Sequence, residues 1–186
     1  RGGDFLYSEA EFETMVEDIA ALRGEGVSGV VIGCLTPDGR IDEARTERLV
    51  EAARPMSVTC HRAFDMTADA GEALEALIRC GIDRVLTSGQ RDTAVEGIAI
   101  LRSAVAQAAG RIVIMGCGAL DAVNIKTVRD EAGLAEMHFA ALKTVPSGMA
   151  FRNPHVGMGG TEKDREYELT LTDGDAVRAT IAAANS

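Results

Sequence analysis

Short runs of β-branched and aliphatic residues alternate along this chain with longer stretches of helical periodicity. That alternation limits the fold more than any other feature. Residues 8–23 carry Phe12, Met15, Val16, Ile19 and Leu22 at helical spacing, with Ser8 and Glu11 placed as a capping box. Gly24 and Gly26 end that helix, and a buried-strand run comes next over 27–35, closed by the turn Thr36-Pro-Asp-Gly39. The cycle repeats with a helix over 41–53, a strand over 56–61, a helix over 68–80 capped by Gly81, and a strand over 84–88. It continues with a helix over 93–109, a strand over 111–115, a helix over 123–132 and a strand over 135–140. A polar, glycine-rich loop is expected from Lys143 to about Tyr167, and a last helix over 175–184.

Strands that alternate with helices pair in parallel, joined by right-handed crossovers. Two closures compete, an open doubly wound sheet and a (β/α)8 barrel. No GxGxxG follows the first strand, so the dinucleotide-binding form lacks its main signal. Polar residues gather at the C-terminal end of one strand after another, which suits the functional face of a barrel. A barrel of eight units needs about 250 residues, whereas this chain has 186 and opens on Arg1 rather than Met. The expectation is therefore an α/β, TIM-type (β/α)8 barrel with its first strands missing, residues 1–186 forming a single domain. The strand over 27–35 then becomes an edge open to pairing with another copy.

Charge and composition remove several functions. Lys and Arg number 19 against 29 Asp and Glu, a formal net charge of −10, which disfavours binding to nucleic-acid phosphates. With no tryptophan and 4% aromatic residues, base-stacking platforms are not expected. No stretch approaches the roughly 20 apolar residues of a membrane span, and the N-terminal residues do not resemble a signal peptide. A soluble, cytoplasmic protein is the expectation. The cysteines at 34, 60, 80 and 117 contain no CxxC pair, so neither a zinc site nor a disulfide framework is expected.

Strand parity selects the candidate chemistry, because successive residues face opposite sides. Thr59 and His61 share one face of their strand, Val58 and Cys60 the other; Glu136 and His138 share a face in the last strand. Polar residues on one face of a buried strand line a pocket or form a hydrogen-bonded core layer. In the first case His61, Glu136 and His138 are the acid–base candidates. Arg62 and Asp65, just past the same strand, bind an anion, orient His61, or pair with one another. Arg1 and Asp4 flank two glycines, a tight backbone path near a site or a loose terminus. Gly116-Cys-Gly118 occupies the place where barrels hold phosphate, and Thr87-Ser-Gly-Gln90 adds hydroxyls and bare N–H groups; both are also ordinary tight turns. Cys34 and Cys117 both fall at strand ends, where two soft sulfurs would select Cu(I), with Met66, Met115, Met149 and Met158 in the same half.

Five strings together identify a family. Arg1-Gly-Gly-Asp-Phe5, Val31-Ile-Gly-Cys-Leu-Thr-Pro-Asp-Gly39, Thr59-Cys-His-Arg-Ala-Phe-Asp65, Arg84-Val-Leu-Thr-Ser-Gly-Gln90 and Phe151-Arg-Asn153 resemble the CutC family of copper-homeostasis proteins, in order and at similar spacing. The resemblance implies a (β/α)8-type barrel, a cytoplasmic location, a homo-oligomer, and further strand–helix units before the Arg-Gly-Gly-Asp segment. It carries over Arg1, Asp4, His61, Arg62, Asp65, Ser88 and Arg152 as site candidates, but no ligand role for Cys34. Two functions are implied: a copper-homeostasis protein that binds or buffers Cu(I), or a barrel enzyme acting on a small anionic or phosphorylated metabolite. In the enzyme, Arg62 and the Gly116–Gly118 loop would hold the anion.

Overall fold

The computed structural model describes residues 4–157 and 165–186. Helix α1 (Glu9–Gly24) is followed by β1 (Gly29–Ile32), α2 (Glu43–Ala53), β2 (Ser57–Cys60), a short 3-10 helix (Arg62–Met66) and α3 (Ala70–Arg79). Then come β3 (Arg84–Thr87), α4 (Ile98–Ala108), β4 (Val113–Gly116), α5 (Ile125–Ala132) and β5 (Glu136–Met137). An antiparallel hairpin of β6 (Leu142–Pro146) and β7 (Glu168–Thr172) precedes α6 (Gly174–Ala184). The first five strands form one sheet in the order β1-β2-β3-β4-β5, every neighbouring pair parallel. Consecutive strands lie side by side with a helix between them, the repeating unit of a TIM-type barrel.

Register explains which side of the sheet is buried. Laterally paired residues of a parallel sheet share a face, and Val30, Val58, Ile32, Cys60, Val85, Ile114, Thr87 and Gly116 fall on one such face. All are buried, and they meet the apolar sides of the helices through Leu49, Leu74, Leu77, Leu101 and Val128. The opposite face carries Val31, Thr59, Arg84, Leu86, Val113, Met115 and Glu136. None of these is fully buried, and Val31 on the edge strand is 60% exposed. Thr59 and Glu136 therefore lie opposite Val58 and Cys60, as alternation requires.

Local chemistry sets the element ends. The Ser8 side chain accepts from the Glu11 N–H and the Glu11 carboxylate accepts from the Ser8 N–H, completing the expected capping box. Asp42, Asp69 and Asp173 cap α2, α3 and α6 with their carboxylates. Gly81 comes after α3 at φ +76°, the left-handed turn that stops a helix where a side chain would be strained.

Two expectations need correction. The segment from Lys143 to about Tyr167 is not loop throughout, since β6 occupies its front and pairs with β7 just beyond it. Helix α4 starts at Ile98 rather than Thr93. Thr93 and Glu96 do make reciprocal capping contacts, but the chain turns at Gly97, whose backbone lies directly on the Ser88 carbonyl. A methyl group at Gly97 would be driven into that oxygen, and Gly89 at φ +73° is pressed against Gly97 from the other side. Gly97→Ala is expected to destabilise the protein by about 2 kcal/mol or more in urea unfolding, because backbone cannot yield to the added atom. Gly24→Ala, with nothing within 4 Å of the added carbon, is expected to change stability by less than about 1 kcal/mol.

Candidate functional site

The sheet ladder runs one residue past several strands and so places the first residue beyond each of them. The His61 N–H donates to Ile32, that of Cys117 to Thr87 and that of His138 to Gly116, at 2.9, 2.9 and 2.8 Å. Next to this row lies the most heavily bonded side chain of the region, Asp65 on the 3-10 helix. Its carboxylate accepts from Thr87 Oγ1 at 2.5 Å, Ser88 Oγ at 3.0 Å, the Ser88 N–H at 3.1 Å, the Gln90 N–H at 3.0 Å and Arg62 Nε at 2.6 Å. Only 6% of the Asp65 side chain is exposed. A buried charge persists when its lone pairs are all used, as here. Gly89 and Gln90 both take positive φ, which turns the amides of the loop after β3 inward. The loop is built to hold an anion, and the anion it holds is the protein's own Asp65.

Arg62 shares this knot. Nε pairs with Asp65 and Nη2 donates to Ser88 Oγ at 2.7 Å and to the Arg91 carbonyl at 3.3 Å. Its Nη1 has no hydrogen-bond partner among the described residues, and 45% of the side chain is exposed. Gly118, at φ +102°, lets the β4 loop close on Ser88; a side-chain carbon there would lie 2.9 Å from Ser88 Cβ. Gly116 has a different task, since its missing side chain makes room for Leu134 Cδ1, 2.5 Å from where a Cβ would stand.

His61 points the other way along the row of strand ends. A carbon added to Gly33 after β1 would sit 2.6 Å from its ring, and the Phe5 ring lies 4.8 Å away, tilted by 44°. His61 Nδ1 accepts the Ala63 N–H at 3.1 Å, which leaves the ring proton on Nε2. Burial holds the imidazole below its usual pKa, so it is neutral at neutral pH and acts as a hydrogen-bond donor. Asp4 is exposed and accepts the Leu6 N–H at 3.0 Å, while Arg1 lies outside the described residues.

The three acid–base candidates are not joined. No hydrogen bond or ion pair links His61, Glu136 and His138 among the described residues. Glu136 instead makes a two-pronged ion pair with Arg84 on the open face of the sheet, at 2.5 and 2.9 Å. The guanidinium holds the Glu136 carboxyl below the usual range, so it stays ionised. His138 is exposed. Arg84 does not stand out in the sequence as a site residue, although strand parity puts it on the face that carries Thr59 and Glu136. Arg152 is placed in the C-terminal segment, 4.1 Å over the Tyr167 ring and bonded to the Ser147 carbonyl.

All four thiols are free and buried. Burial raises Cys34 and Cys117 to about 11 and Cys60 and Cys80 to about 12. The charges that act on Cys34 are Asp42 and Arg45, whereas Asp65 and Arg62 act on Cys117, so these two thiols occupy separate surroundings. Cys34, Cys60 and Cys80 all lie in the buried apolar core. Glu43, Glu47 and Cys80 place ligand atoms within 4.8 Å of one another. That set mixes hard carboxylates with one protonated thiol, and Glu43 is already paired with Arg79 at 2.7 Å, a poor match to Cu(I). Among the described residues no helix is long and apolar enough to cross a membrane.

The model of the CutC family matches residues 1–143. A Mesorhizobium japonicum protein described as family protein CutC is 65% identical over 186 residues, covering all of this chain and 72% of the relative. A human protein named copper homeostasis protein cutC homolog is 44% identical over 186 residues, covering all of this chain and 68% of that one. Among solved structures, a copper homeostasis protein CutC from Streptococcus agalactiae superposes with a TM-score of 0.71 at 30% identity, over 75% of this chain and 68% of that one.

Two measurements check the electrostatics of the strand ends. Nitrogen-15 NMR is expected to show His61 protonated at Nε2 and titrating below 6.5. The unfolded chain then takes up that proton first, so the contribution of His61 to stability is present above pH 6.5 and declines as pH falls toward the folded value. Asp65→Ala is expected to cost roughly 2–4 kcal/mol, because it strands two backbone amides, two hydroxyls and a guanidinium at once. Equal stability of that variant in urea would show that the knot carries little weight.

Proposed function

This chain belongs to the CutC family, and from that premise we propose that it serves copper homeostasis through a small anionic ligand bound at the ends of β1 to β3. Arg62 and His61 are the groups that recognise it. The observation that carries this reading is the state of Arg62, clamped through Nε and Nη2 with Nη1 unpartnered and the side chain half-exposed. A guanidinium held in place before the ligand arrives loses little entropy on binding and presents a fixed donor to carboxylate or phosphate. From the neighbouring position, His61 offers a neutral Nε2–H whose tautomer Ala63 fixes. A neutral imidazole of this kind polarises an oxygen without adding charge. An enzyme acting on an anionic or phosphorylated metabolite would use the same two donors. Ser88, Asp65 and Gly118 serve as the frame that aims Arg62.

A second reading, Cu(I) held by sulfur, draws on Cys34, Cys60 and Cys80, which all lie in the buried apolar core. It must overcome thiol pKa values of about 11 to 12, since the thiolate is the ligand. A Cys34–Cys117 pair has less support than that trio. Cytoplasmic residence fits four free thiols.

Titration calorimetry with inorganic phosphate tests the preferred reading. Arg62→Met is expected to weaken phosphate binding by roughly tenfold or more and Arg62→Lys by less, with the fold intact by circular dichroism. A parallel Cu(I) titration under reducing conditions, against a chromophoric competitor, is expected to give the same affinity with Cys34→Ser, Cys60→Ser and Cys80→Ser combined. Phosphate binding that ignores Arg62, together with Cu(I) affinity lost on the cysteine changes, would overturn the proposal in favour of sulfur-bound copper.

A further inference from the structure

Phe5 takes a backbone conformation that its side chain disfavours. Among the described residues four other than glycine have positive φ, namely Phe5, Gln90, Ala109 and Ala119. Ala109 closes α4, where a left-handed turn is an ordinary helix end, and Gln90 belongs to the loop that Asp65 holds. Phe5, at φ +60°, is the bulkiest of the four and ends no helix. A large side chain in this region is strained and stays there only when its surroundings hold it.

Two hydrogen bonds do so. The Asp4 carboxylate accepts the Leu6 N–H at 3.0 Å and closes an Asx turn with Phe5 at its centre. The Phe5 carbonyl accepts the Leu35 N–H at 2.9 Å, which ties the turn to the chain beyond β1. The same stretch supplies Gly33, two residues before Leu35. A carbon added at Gly33 would lie 2.6 Å from His61 Cε1, 2.7 Å from His61 Nδ1 and 2.8 Å from Ala63 Cβ. One edge of the imidazole therefore fills the space that Gly33 leaves, and Nδ1 accepts the Ala63 N–H at 3.1 Å. The Phe5 ring, 4.8 Å away and tilted by 44°, bounds the imidazole from the N-terminal segment.

We propose that Phe5 is a positioning residue of the ligand site, set by the Asx turn at Asp4 so that its ring and the gap at Gly33 pin the His61 imidazole and leave Nε2–H for the anion. This role rests on the anionic ligand proposed above. Strain separates it from packing alone. An apolar residue that only filled core space could be carried on a relaxed backbone, whereas here the turn bends the chain into the left-handed region and delivers a ring to His61. Asp4 gains a part as well, as the acceptor that shapes the turn rather than as a group that meets the ligand.

Amide hydrogen exchange by NMR, read beside phosphate calorimetry on the same variants, tests this role. Phe5→Gly removes the ring and relaxes the turn. It is expected to speed exchange of the Ala63 amide roughly tenfold or more and to leave that of Leu101 in α4 unchanged, because the bond to His61 Nδ1 opens without global unfolding. Phosphate binding is expected to weaken by roughly threefold or more, since the donor is no longer fixed in advance. If Phe5→Gly fails to fold, Asp4→Ala is expected to act in the same direction, and Asp4→Asn, which keeps an acceptor for Leu6, to restore both readouts. Unchanged Ala63 exchange, equal acceleration of Ala63 and Leu101, or phosphate affinity that falls with Arg62→Met but not with the changes at Phe5 or Asp4 would overturn the role of Phe5. Phosphate binding that ignores Arg62 would overturn the ligand reading instead, and Ala63 exchange would still decide whether Phe5 pins His61.

Discussion

The buried carboxylate of Asp65 is the contact on which the strand-end face depends. One side chain from the 3-10 helix gathers the end of β3, its following loop and the Arg62 guanidinium. Ser88, held by that carboxylate, is then the surface on which Gly118 and Gly97 close from the β4 loop and the start of α4. Three strand–helix connections are thereby fixed relative to one another by a charge that little solvent screens. The same contact bears on the ligand proposed for the site. The Ser88 and Gln90 amides, which would otherwise cradle a phosphate, are taken by Asp65, and the proposed recognition therefore rests on the unpartnered end of Arg62 and on His61.

Much of the architecture is legible in the sequence because it is written in short-range pattern. The capping box at Ser8 and Glu11, the alternation of Val58, Thr59 and Cys60, and the glycine after α3 each depend on residues a few positions apart. The contacts of Asp65 with Thr87, Ser88 and Gln90 span 22 to 25 positions, and no periodicity reports them. By spacing alone Arg62 and Asp65 are equally an ion pair or an anion site. The structure makes Asp65 the internal anion and leaves Arg62 partly available. Arg84 carries a signal that is easily passed over, since parity alone places it with Glu136. The hairpin escapes sequence reasoning because its strands are five residues each, separated by 21 residues rich in turn formers, and bury nothing that would mark a core face.

The thiols show why residue type is weaker evidence than surroundings. Cys34 and Cys117 both stand at strand ends, where a soft-metal pair is a fair expectation. Their neighbours differ, and burial keeps both protonated. His61 shows the converse, because Ala63 and Phe5 turn an ordinary imidazole into a neutral donor of fixed tautomer. Family membership in CutC links the chain to copper homeostasis; the anionic ligand is our proposal for how it serves that role.

A crystal structure of the protein grown with inorganic phosphate and Cu(I) under reducing conditions tests this account most directly. The account predicts phosphate density within hydrogen-bond distance of Arg62 Nη1 or His61 Nε2, with the Ser88 and Gln90 amides still on Asp65. Phosphate seated in the β3 loop in place of Asp65, or anomalous copper signal bridging cysteine sulfurs with no anion at Arg62, would contradict it.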